Sequence, residues 1–85
     1  MKQNQVEKRP SLYKPAIYEI TIYAILDSQW ATRFDRLTLT SNKTNGTTTL
    51  KGIIVDQTAL HSHLQTIRDL NLFLLSVTYC GPAPK

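Results

Sequence analysis

The stretch DQTALHSHLQTIRDLNLFLLSV, residues 56–77, holds both histidines of an 85-residue chain, together with Arg68. Two imidazoles spaced H-x-H are the types from which a metal site is built. In an extended strand His61 and His63 would share one side. On a helix they stand ~200° apart and cannot ligate one ion. The apolar residues around them recur with helical period, and no Cys, Asp or Glu stands one turn from either histidine. No metal is therefore expected. His63 falls on the apolar margin with Ala59 and Leu70, the place of a partly buried, hydrogen-bonded histidine. His61 falls on a polar stripe with Gln57 and Arg68. Gln57, His61 and Arg68 form a candidate contact patch for an anion or a partner, although such a stripe is more commonly a solvated helix face.

Other chemistries fail on residue type or spacing. Cys80 is the single cysteine, so it has no internal disulfide partner, and no histidine near it in sequence would lower its pKa. Asp69 follows Arg68 directly, and adjacent helical residues diverge by ~100°, so no carboxylate pair forms there. Asp27 and Asp35 lie where acids serve as helix caps. NKTNG has one glycine, too few for a phosphate-cradling loop. The first loop, LDSQWA, lacks the Cys-x-x-Cys of a metal carrier. No catalytic residue and no cofactor are assigned, and a non-enzymatic role is expected.

The elements that would position these residues follow from period and punctuation. YEITIYAIL alternates, with Tyr18, Ile20, Ile22, Ala24 and Leu26 on one face and Glu19, Thr21 and Tyr23 on the other, the pattern of a half-buried strand. Asp27 or Ser28 caps a short helix that carries Trp30 and Phe34 on one side. RLTLT and TTTLKGIIV are two strands joined through Asn45-Gly46, with Gly52 marking a bulge or a close backbone approach. Asp56 caps a long helix centred on Leu60, Leu64 and Ile67. Asn71 takes its left-handed C-terminal cap, and LFLLSVTY is the last strand.

The order β-α-β-β-α-β predicts a ferredoxin-like α+β fold: a four-stranded antiparallel sheet, order 4-1-3-2, with two helices on one face. The expected core is Ile20, Ile22, Leu26, Trp30, Phe34, Leu37, Leu39, Leu50, Ile54, Leu60, Leu64, Ile67, Leu75 and Val77. The expected organisation is a flexible basic arm over 1–16, a single domain over 17–80 and a tail over 81–85. This fold hosts many unrelated activities, so it says little about function.

The run Asp56-Gln57, Ala59-Leu60-His61, Leu64, Ile67-Arg68-Asp69-Leu70, Leu72, Leu74-Leu75-Ser76-Val77, preceded by Trp30 and Phe34, resembles a family of small bacterial proteins. Their chains end in D-Q-x-A-L-H…I-R-D-L-G-L-P-L-L-S-V. The resemblance spans roughly Tyr18 to Val77 and implies a short stand-alone protein with no assigned activity. Asn71 replaces that family's glycine, and Phe73 replaces its proline.

Net charge is +4. Lys2, Lys8, Arg9 and Lys14 against Glu7 put most of it before Tyr18, and from Tyr18 onward six basic residues face five acidic ones. A nucleic-acid binder that relies on phosphate contacts needs a basic face on its folded body, so nucleic acid is an unlikely partner. A single-strand binder using Tyr23, the threonine-rich face and the basic arm is a lesser reading, as is a small-molecule-binding regulatory domain. No apolar run resembles a signal peptide or approaches the ~20 residues of a membrane span, and a cytoplasmic setting is expected. The last strand carries no charge. With Tyr23, Ile53, Leu72 and Leu74 placed on the open sheet face, burial against a second copy is expected. The predicted role is an interaction or regulatory module that self-associates through its sheet, a dimer with a possible further protein partner.

Overall fold

A computed structural model describes residues 13–34 and 36–84. The expected arm therefore lies outside the described residues over 1–12, as does Asp35. The elements run β1 (Ala16–Ile22), a single-turn 3-10 helix (Ser28–Thr32), β2 (Leu37–Asn42), β3 (Thr47–Ile54), α1 (Gln57–Asp69) and β4 (Leu74–Pro82). The strands form one antiparallel sheet in the order β2-β3-β1-β4.

This architecture corrects the ferredoxin-like expectation of two helices on one face. The order is the anticipated one read from the opposite edge, but α1 is the one α-helix among the described residues. The first crossover is a loop and a five-residue 3-10 turn. The physical reason lies in how the connection is spent. β1 stops at Ile22, four residues before its alternating pattern ends, because the following loop is fastened to the β2–β3 hairpin. Fully buried Thr48 donates its hydroxyl to the Ala24 carbonyl at 2.7 Å and accepts from the Leu26 amide at 3.1 Å. Ser41 donates to the Leu26 carbonyl at 3.1 Å. Ala24 and Leu26 thus reach the core from a loop, and the segment left before β2 holds only one turn plus Phe34, which is fully buried.

Gly52 sits where a Cβ would come 2.5 Å from the Arg36 carbonyl oxygen, so the glycine serves a close backbone approach. Its registers with Tyr18 and Leu37 are regular, which rules out the bulge. The β2–β3 connection is a four-residue turn in which the Gly46 amide donates to the Asn42 carbonyl, with Gly46 left-handed at φ 72°.

Local signals place α1. Asp56 accepts from the Ala59 amide at 2.8 Å as N-cap. At the other end Asn71 is left-handed, φ 59°, with its amide donating to the Arg68 carbonyl and that of Leu72 to the Ile67 carbonyl. This is a Schellman ending with asparagine in the glycine position.

The core is Ala16, Tyr18, Ile20, Ile22, Leu26, Phe34, Leu37, Leu50, Ile54, Leu60 and Ile67, with Trp30, Leu39, Leu64, Leu70 and Leu72 partly buried against it. Ala16 joins because β1 begins two residues earlier than its alternation suggested, and Tyr18 joins from the inward phase already assigned to it. Ala16 thus belongs to the sheet, inside the stretch expected to be an arm. Pro82 pairs with Ala16 and the Ala83 amide donates to the Pro15 carbonyl at 3.2 Å, so part of the expected tail is also ordered into the sheet. Leu75 and Val77, expected in the core, are instead 48% and 38% exposed.

Candidate functional site

The Gln57, His61 and Arg68 stripe is divided by its contacts. Gln57 donates its amide to the Tyr18 hydroxyl at 2.7 Å and is thereby tied to the sheet. His61 is exposed. Arg68 is exposed and lies 4.0 Å from Asp69. His63 is half-buried, its ring 6.2 Å from that of Phe34 at 34°.

The residues expected on the open face do not gather either. Tyr23 is 60% and Ile53 43% exposed, but they stand at opposite ends of the sheet, separated by about 20 Å along the strands. Tyr23 lies over Gly46, where an added Cβ would meet its ring at 3.1 Å. Leu72 packs on the core, because the Schellman ending turns that residue back towards Ile67. Between the ends, Thr40, Thr49, Thr21 and Ser76 are successive partners across the four strands, a row of hydroxyls on a polar face.

The apolar surface lies along β4. Phe73 is 66% exposed, and Leu74, Leu75, Val77 and Tyr79 are all exposed too. Register puts Val77 opposite Ile20 and Tyr79 opposite Tyr18, whose rings meet edge to face at 5.6 Å, so both side chains stand on the helix side. Leu74 is opposite Ile22 rather than on the open face, because the ladder skips Leu75. A second skip falls at Cys80, whose exposed thiol donates to the Thr78 carbonyl at 3.7 Å. From Leu70 to Pro84 there is no charged residue.

Helix width explains why this side is bare. An α-helix is ~10–12 Å across, and four strands spaced ~4.8 Å apart put about 14 Å between the outer axes. The helix α1 packs on β3. With the first crossover shortened to a 3-10 turn against β2, β4 lies beyond the cover. The uncharged run was visible in the sequence; the missing cover was not.

A family model described as a domain of unknown function (DUF8691) matches residues 17–78. The chain belongs to the DUF8691 family. The match runs from the second residue of β1 into β4, so Phe73, Leu75 and Val77 lie within the DUF8691 domain. No curated protein and no solved structure matches the chain. Among the described residues no three His, Cys, Asp or Glu side chains are grouped to hold a metal ion, and no helix is long and apolar enough to cross a membrane.

Proposed function

We propose that this member of the DUF8691 family is a non-enzymatic interaction module that works as a self-associated pair, joined through the helix side of β4. The observation that carries the reading is the exposure of Phe73, Leu74, Leu75, Val77 and Tyr79 along an edge strand without charge. The skips at Leu75 and Cys80 and the closing Pro82 interrupt β4 as solitary edge strands are usually interrupted, but no charge on it keeps its apolar side chains in water. A second copy suits it: a two-fold contact sets each residue against the same neutral strand, and no like charges are opposed. The skips at Leu75 and Cys80 leave only Ser76–Tyr79 as regular ladder between them, which favours packing of side chains over pairing of strand edges. Ordinary interfaces need ~800 Å² per partner. The setting proposed is the cytoplasm, where Cys80 stays reduced.

Light scattering on a sizing column at micromolar concentration tests this. The expected mass is twice 9.7 kDa, falling to 9.7 kDa in Phe73→Glu and Leu75→Lys while the far-ultraviolet spectrum is kept. A monomeric parent, or a dimer indifferent to both substitutions, overturns it.

A further inference from the structure

We infer that the cleft between the start of β2, the end of β3 and α1 binds a small organic anion carrying an aliphatic flank. The cleft has a volume of about 330 Å³. That is at the lower end of the ~300–1,000 Å³ typical of small-molecule sites, a size for a short acid rather than a nucleotide. Its lining divides by chemistry. Arg36, Ser62 and His63 supply hydrogen-bonding groups, and Ile53, Val55 and Ala59 supply an apolar wall. Both Ile53 and Val55 are 43% exposed. No acidic residue is among the described residues of the lining.

The polar groups are held in place. Arg36 is left-handed, φ 70°, a conformation uncommon for a side chain of its size and concentrated at binding and catalytic sites. Its carbonyl is seated against Gly52, which leaves no room for a Cβ there. The guanidinium therefore leaves from a fixed backbone. Its planar fork of five N–H donors can engage a carboxylate or phosphate on two atoms while keeping a contact within the protein. The ring of His63 lies 6.2 Å from that of Phe34, tilted by 34°, and Ser62 precedes it on α1. Anionic oxygens would meet Arg36, Ser62 and His63, and an alkyl or aryl group would lie on Ile53 and Val55. Gln57, His61 and Arg68 are not part of this lining, nor is any residue of β4, so the site stands independently of self-association.

The test is a titration of the uniformly 15N-labelled full chain with hexanoate, hexyl phosphate and hexanol, read from amide shifts. Saturable shifts at Val55, Ala59, Ser62 and His63 are expected with one or both anions, and whichever saturates names the head group. Hexanol should bind at least tenfold more weakly. Arg36→Gly and Arg36→Asn both accept the left-handed backbone and remove the guanidinium, and each should weaken anion binding at least tenfold with the sheet amides unmoved. Shifts that do not saturate, equal binding of hexanol, or undiminished binding in whichever of these variants folds would overturn the assignment.

Discussion

Thr48 shows how much one hydroxyl can settle. Its Oγ1 is fully buried, donates to the Ala24 carbonyl, and receives the Leu26 amide across 22 residues of sequence. Thr48→Val keeps the shape and leaves a buried amide and carbonyl without that partner, which costs about 1–3 kcal/mol per unmet group. A melting temperature several degrees below the parent is the expected outcome, with thermal unfolding as the measurement. An unchanged melting temperature would mean that the loop after β1 holds itself. Residues such as Asp56 and Asn71 were legible in the sequence because a cap is decided within three or four positions. Thr48 was not, since its partners lie on a loop that periodicity extended as strand.

At the scale of elements, the end of α1 and the phase of β4 are linked. Asn71 adopts the left-handed conformation that glycine takes at lower cost, and its amide closes onto the Arg68 carbonyl. Asn71→Gly should raise stability by up to about 1 kcal/mol, read from chemical denaturation with an unchanged slope. A loss of stability would show that the asparagine side chain makes a contact beyond its backbone role. Alternation alone assigned Leu72 and Leu74 to the open face. The Schellman turn draws Leu72 inward, and the skipped residue Leu75 sets Leu74 opposite Ile22. Both effects are local irregularities that a period of two cannot carry, which is why the strand and the helix-side facing of Val77 and Tyr79 were legible while the placing of Leu72 and Leu74 was not. The first crossover failed for a different reason: Trp30 and Phe34 do pack on the core, but through one 3-10 turn rather than a helix.

For the whole molecule, the half-covered sheet sets where stability and association meet. A domain of this size buries only ~60–65% of the surface its chain exposes when unfolded, and an uncovered β4 narrows the margin further. The pairing of Ala16 with Pro82 and of the Ala83 amide with the Pro15 carbonyl has another consequence, which concerns how the unit can be wired. Pro15 and Ala83 lie side by side at one end of β1, so the sheet and helix between them can be spliced into a surface loop of a host protein as a cassette without prising the host apart. A circular permutant with a short linker joining 15 to 83, opened between Lys43 and Asn45 in the exposed hairpin turn, should retain the parent's far-ultraviolet spectrum and cooperative melting. Failure to fold would show that the β2–β3 turn is needed as a continuous nucleus, and that the order in which the strands are made matters to this chain.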